Sequence, residues 1–208
     1  KAYQLTQNIL YKNVVYETLA FIRNEMTSSG NGFYSAFDAE SDGEEGKFYV
    51  WSKREIENAL GNYAPILLRY YNITEAGNWH DGKNILFRTL HDWQIASEFN
   101  ITPEQLESIL NHHKTILRTI RSQRIPPSLD DKIITSWNAL MLIAYVNAYR
   151  AFGERDFLLA ALANAEFITK NCISQSNNIY RIYRKGKVSV NGFLDDYAFT
   201  IASFIQLY

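Results

Sequence analysis

The sequence predicts an all-α chain in the main, built of paired helices with short β-hairpins in the connections. Three observations predict it. Apolar residues recur at the helical period through most of the chain, capping-box patterns open two of the segments, and glycine-rich or Pro-Pro breaks separate them. The 208 residues suffice for one domain with a real core, and no composition break or low-complexity stretch marks a second.

The elements follow in order. Leu5, Ile9, Val15, Leu19 and Ile22 place a helix over residues 3–27, stopped by Ser28-Ser29-Gly30-Asn31-Gly32. Phe33–Phe37 and Lys47–Trp51 are expected to pair as a hairpin around an acidic loop. Ser52-Lys53-Arg54-Glu55 is a capping box that opens a helix to Leu60, and residues 63–71 form another. Residues 72–91 are irregular, with a candidate strand at Asn84–Arg88. Thr102-Pro103-Glu104-Gln105 combines an N-cap, a first-turn proline and a capping-box partner, and opens a helix to about Arg124. Pro126-Pro127 ends it.

Ile133, Trp137, Leu140, Met141, Ala144, Tyr145, Ala148 and Phe152 recur at helical spacing, and Ile134, Ile143 and Val146 fill the other sides. A helix apolar all round is expected to be buried, so Trp137, Leu140, Met141, Ala144 and Tyr145 are core predictions. Gly153 breaks it, and the next helix runs from Glu154 to about Cys172. Ile179–Tyr183 and Lys187–Val190 form a hairpin turning at Lys185-Gly186, and a last apolar helix begins near Phe193. Asn-Gly-Phe occurs at 31–33 and again at 191–193, before acidic residues each time, a repeat signal that suits an array of helical hairpins.

Composition excludes several functions. Lys and Arg number 21 against 22 Asp and Glu, so no basic surface argues for nucleic acid. No apolar stretch approaches the ~18 residues that span a membrane. Cys172 is the only cysteine, which excludes an internal disulfide, a redox pair and a thiolate zinc site, and suits a reducing, cytoplasmic setting. There is no P-loop and no dinucleotide fingerprint, so no cofactor is expected. Lys1 stands close to a helix pattern and Tyr208 stands inside an apolar run, so the chain is expected to be a piece of a longer protein.

Three clusters could carry chemistry. Asp38, Glu40, Asp42, Glu44 and Glu45 lie between aromatic runs that end at Phe37 and resume at Phe48. Asp130-Asp131-Lys132 precedes Trp137-Asn138, and Asp195-Asp196-Tyr197 is framed by Phe193 and Phe199. Rings pack on the apolar face of a pyranose while carboxylates bind hydroxyls or do acid–base work, so such clusters suit a sugar cleft. The candidate catalytic acids are Asp38, Asp131, Asp195 and Asp196, and the candidate binding residues are Trp51, Trp137, Asn138 and Tyr197. Acidic residues also favour helix N-termini through capping and the dipole, which is an equal account of the two Asp pairs. Asp131 is expected to pair with Lys132 or to cap the following helix. Asp38-x-Glu40-x-Asp42-Gly43 mimics half a calcium loop, but Tyr49 stands where its bidentate Glu belongs. His80, His91, His112 and His113 lie outside the acidic clusters, so no metal site is expected.

Taken together, GFYSAFDAESDGEEGKFYVW, PPSLDDKIITSWNALM and NGFLDDYAF resemble the helical region of the spermatogenesis-associated protein 20 family, a thioredoxin-domain-containing family, and the resemblance covers essentially the whole chain. It implies a partial (α/α)6 toroid of the six-hairpin glycosidase type over residues 1–208. It also implies that an N-terminal thioredoxin-like domain and the remaining toroid hairpins are absent from this chain and are its natural partners. The function it implies is a carbohydrate-active or carbohydrate-binding domain with a small carbohydrate as ligand. The alternatives are a non-catalytic scaffold that supports the thioredoxin-like domain and a calcium-stabilised module. Epimerases of this fold use histidine bases, and the histidines here lie outside the matching motifs.

Overall fold

The computed structural model describes all 208 residues. In chain order the elements are α1 (Ala2–Thr6), α2 (Ile9–Glu25), β1 (Ala36–Phe37), β2 (Glu40–Ser41), β3 (Glu44–Glu45), β4 (Trp51–Ser52), α3 (Lys53–Leu60), α4 (Ala64–Tyr70), β5 (Lys83–Asn84), α5 (Asp92–Glu98), α6 (Pro103–Arg121), β6 (Leu129–Asp130), β7 (Ile133–Ile134), α7 (Thr135–Phe152), α8 (Arg155–Asn171), β8 (Tyr180–Arg184), β9 (Lys187–Asn191) and α9 (Leu194–Leu207). The fold is mainly α, with short strands confined to the connections. The chain divides into two compact units, one of residues 1–37 with 129–208 and one of residues 38–128.

The first unit is an array of helices around α7. Helix α8 returns antiparallel to α7 after Gly153, whose φ of 74° ends α7 in the left-handed region. Helix α9 runs parallel to α7. Asp196 in its first turn accepts from the Ser136 amide in the first turn of α7, and Arg150 near the end of α7 bonds Gln206 near the end of α9. The β8–β9 hairpin connects α8 to α9 and turns at Lys185-Gly186, with positive φ at both residues, as its turn chemistry predicts. Strand β7 adds to it as a third strand. Leu19, Phe33, Leu142, Tyr145, Val146, Phe167 and Ile168 form the core of this unit.

Helix α7 is not buried all round. Tyr145 is in the core as expected and Met141 is half-buried, but Trp137 is 49% exposed, Leu140 is 43% exposed and Ala144 also faces out. The buried line is Ala139, Leu142, Tyr145 and Val146, against α8 and the core, with Ser136 and Asn138 at its start. A helix uniform in hydropathy carries no record of which of its sides a neighbour covers.

The second unit packs α3, α4, α5 and α6 around Ile56, Leu67, Ile95 and Leu106. Helices α3 and α6 start at the predicted capping boxes: Ser52 accepts from the Glu55 amide while Glu55 accepts from that of Ser52, and Thr102 and Gln105 do the same. The expected hairpin of Phe33–Phe37 with Lys47–Trp51 does not form. Strand β1 pairs with β6, and β4 pairs with β5. Between them Asp42-Gly43, both at positive φ, closes a hairpin of β2 and β3 only two residues deep. The flanking aromatic runs are taken by partners far away in sequence.

Candidate functional site

In the unit of residues 38–128 the acidic loop forms one wall of a cleft of about 600 Å³. That is within the range of small-molecule sites. Asp42, Glu44, Glu45 and Phe48 line it from the loop, and Trp79, His80 and Asp81 from a second loop. The second loop is wound tightly on itself. Asn84 is fully buried: its Oδ1 accepts from the Thr74 amide, and its Nδ2 donates to the carbonyls of Trp51 and Thr74. Asn78 closes a ring on Ile85 through both its amide and its carbonyl oxygen. Gly77 lies at φ 73°, and a Cβ there would stand 2.3 Å from the Lys83 carbonyl oxygen. These constraints hold Trp79-His80-Asp81 at the loop tip. The Trp79 indole lies over Gly46, where a Cβ would meet it at 3.6 Å, and meets the His80 ring edge-on.

Arg124 fixes the other wall. Its Nη1 donates to the carbonyls of Val50 at 2.7 Å and Phe48 at 3.1 Å, its Nη2 donates to Glu55, and its guanidinium lies 4.0 Å from the Trp51 ring centroid. Glu55 also takes Lys83 at 3.0 Å. Burial pushes the Glu55 carboxyl up, but hydrogen bonds from the Ser52 amide and from Lys83 outweigh it and leave the pKa lowered. Lys47 bridges Asp42 at 2.9 Å and Glu44 at 2.7 Å, and these hydrogen bonds raise its pKa. The lining carboxylates Glu45 and Asp81 have no such cation.

The residues singled out from sequence are distributed differently. Trp51 is 3% exposed and lies under Arg124, so it belongs to the core beside the cleft, not to its lining. Asp38 is exposed, accepts from the Glu40 amide at 3.3 Å and lies outside the lining. Trp79, His80 and Asp81 were not among the predicted site residues, and Glu45 belongs to the predicted acidic cluster, from which Asp38 was the one singled out. Trp79-His80-Asp81 stands between Gly77 and Gly82 in a stretch without periodicity, and a ring, an imidazole and a carboxylate framed by glycines was its signal.

The other candidates belong to the first unit, where they meet at one end of α7 and α9. Asp196 is 0% exposed. Its Oδ1 accepts from the Ser136 amide at 3.0 Å, and its Oδ2 accepts from the Phe193 amide at 2.9 Å and from Arg181 at 3.0 Å. One carboxylate thus caps two helices, and both its oxygens are taken. Asp195 pairs with the same Arg181 at 3.1 Å. Asp131 pairs with Arg184 and with Lys185 at 3.4 Å, while Lys132 turns to Asp130 at 3.1 Å, so the expected Asp131–Lys132 pair is corrected. Nor does Asp131 cap α7, whose first-turn acceptor is Asp196. Burial pushes the carboxyls of Asp131 and Asp195 up, but the neighbouring cations outweigh it and hold both below the usual range.

Asn138 is buried and clamps Phe33. Its Oδ1 accepts from the Phe33 amide at 2.7 Å and its Nδ2 donates to the Phe33 carbonyl at 3.0 Å, while Asn164 donates to the same Oδ1. The Tyr197 hydroxyl accepts from the Ile179 amide at 3.1 Å, and its ring fills the space beside Gly192. Trp137 alone of this group presents a large exposed face. No group of three or more His, Cys, Asp or Glu side chains is arranged to hold a metal ion. No helix is long and apolar enough to cross a membrane.

No family model matches the chain. It is similar to an uncharacterised protein of Caenorhabditis elegans, 29% identical over 227 residues that cover 95% of this chain and 31% of that one. It is similar to the human spermatogenesis-associated protein 20, 28% identical over all of this chain and 31% of the relative, and to the mouse protein of that name at 26% with the same coverage. These homologues show the resemblance read from the motifs. The chain spans about a third of the length of the curated relatives it matches. Among solved structures it resembles a cellobiose 2-epimerase from Bacillus thermoamylovorans, with a TM-score of 0.36 and 13% identity over 96% of this chain and 50% of that one, a likeness too remote to assign a site.

Proposed function

We propose that this chain is a carbohydrate-binding helical domain and that its ligand sits in the cleft of the 38–128 unit. The observation that carries this is the cleft itself. Its roughly 600 Å³ place the rings of Trp79 and Phe48 beside the carboxylates of Glu45 and Asp81. An indole can stack on the apolar face of a pyranose while carboxylates accept from its hydroxyls. That Asp131, Asp195 and Asp196 of the first unit are held by arginines and backbone amides favours this cleft over that cluster as the ligand site.

Calorimetry of the 208-residue protein against a panel of mono-, di- and trisaccharides tests the proposal. Binding of at least one sugar, weakened tenfold or more by Trp79→Ala and unchanged by Trp137→Ala, is the expected result. Absence of binding across the panel would reject it.

A second role is favoured by a different observation. Trp137 and Leu140 on α7, and Leu194, Ile201 and Ile205 on α9, leave apolar side chains exposed along two parallel helices. We propose that this face supports the remaining helical hairpins or the thioredoxin-like domain that the family resemblance implies.

A further inference from the structure

We infer that the cleft is selective for a cationic sugar, a hexosamine unit whose amino group is free and protonated, over its neutral counterparts; this rests on the carbohydrate proposal above. The charges of the lining decide the class. Five carboxylates line the cleft, those of Asp42, Glu44, Glu45, Glu55 and Asp81, against three permanent cations, Lys47, Lys83 and Arg124. Each cation is already committed to a lining carboxylate. Lys47 holds Asp42 and Glu44, while Lys83 and Arg124 both hold Glu55, and Arg124 is further tied to the Val50 and Phe48 carbonyls. No permanent cation of the lining is left to receive an anionic ligand, the neighbouring Arg121 lies outside the lining against the Phe48 and Tyr49 rings, and Glu45 and Asp81 are left without a cation.

An independent observation adds to the imbalance. In the β2–β3 hairpin Glu45 stands directly opposite Glu40, and neither is in an ion pair. Like charges directly opposed across two strands destabilise the pairing. A ligand cation beside Glu45 relieves that repulsion, whereas a neutral sugar leaves it in place. The Trp79 ring supplies the remaining recognition. Its face takes the apolar side of the pyranose and attracts an ammonium group through its quadrupole.

The test uses the 208-residue protein and three trisaccharides of one length: a glucosamine trisaccharide with free amino groups, its fully N-acetylated counterpart, and the neutral glucose trisaccharide. The expected result at low ionic strength is roughly tenfold tighter binding of the free-amine form, the combined worth of two exposed ion pairs. The preference should shrink as salt is raised, because exposed charges are screened. Glu45→Gln combined with Asp81→Asn should bring the three affinities within about twofold of one another. Both residues are exposed, and Asn tolerates the left-handed backbone of Asp81, so the fold is kept and circular dichroism checks it.

Equal binding of all three sugars by the unmodified protein would overturn the inference and leave the carbohydrate proposal standing. Binding of none would remove that proposal with it. A free-amine preference that survives the double substitution would also overturn the inference, since the cation would then be read elsewhere.

Discussion

Acidic clusters in the two units use the same side chains to opposite ends. In the first unit every carboxylate of interest is matched. Arg181 serves Asp195 and Asp196, Arg184 and Lys185 serve Asp131, and two backbone amides complete Asp196. In the second unit the matching stops short, and Glu45 and Asp81 face a cleft with no cation of their own. The difference separates acids that hold a fold together from acids available to something else. The first unit carries its acids as two Asp-Asp pairs and the second as a five-carboxylate loop with Asp81 apart, but it is the partners the fold supplies that separate their roles.

The largest expected effect tests the matched side. Asp196→Ala strips the first turns of α7 and α9 of their shared acceptor and leaves Arg181 half-paired. Urea unfolding should show a loss of about 3–5 kcal/mol, as for breaking a buried ion pair. A loss under about 1 kcal/mol would make Asp196 as dispensable as the acids of the cleft and erase the comparison.

Gly77→Ala tests how the unmatched side is presented. The added methyl meets the Lys83 carbonyl in a backbone conformation that alanine resists. It should cost ~1–3 kcal/mol and weaken sugar binding with it, because Trp79 and Asp81 lose their support. Wild-type affinity in a destabilised Gly77→Ala protein would detach the loop from the site.

Acid should act on the matched cluster. The native pKa values of Asp131 and Asp195 lie below the ~3.9 of an unfolded Asp. Their contribution is therefore complete above the unfolded value and is lost as pH falls through the depressed native values. Melting temperatures between pH 6 and pH 2.5 should fall at the acid end, and less steeply in Asp131→Asn and Asp195→Asn. Identical slopes in the variants would show that these pairs are worth nothing in solution. Trp79→Ala should give the smallest change in stability, within ~0.5–1 kcal/mol by thermal melting; a greater loss would assign the indole to the core.

Legibility from sequence followed the range of the interaction. Helices α3 and α6 were readable because Ser52-Glu55 and Thr102-Gln105 close their capping boxes within one turn. The β8–β9 hairpin was readable because Lys185-Gly186 sets its turn locally. The pairings of β1 with β6 and of β4 with β5 were not, since their partners lie far along the chain and nothing in the strands names them. The partner of Asp131 failed for the same reason: Lys132 is adjacent in sequence, but the fold delivers Arg184. Helix α5 was not legible because His91 stands at its N-cap, where no Ser, Thr, Asn or Asp signals a start, and its capping is by Gln94 accepting from the His91 amide. The exposed face of α7 and the cleft residues 79–81 depend on what does or does not pack nearby, which periodicity cannot express.

The double cap formed by Asp196 has a consequence for how the first unit breathes. The amides of Ser136 and Phe193 lie far apart in the chain, yet both donate to one carboxylate. Neither can be released by simple fraying of its own helix while the other keeps Asp196 in place. Their hydrogens should therefore exchange with solvent through a shared opening, which makes the starts of α7 and α9 a single cooperative element and ties the β8–β9 hairpin between them to the same event.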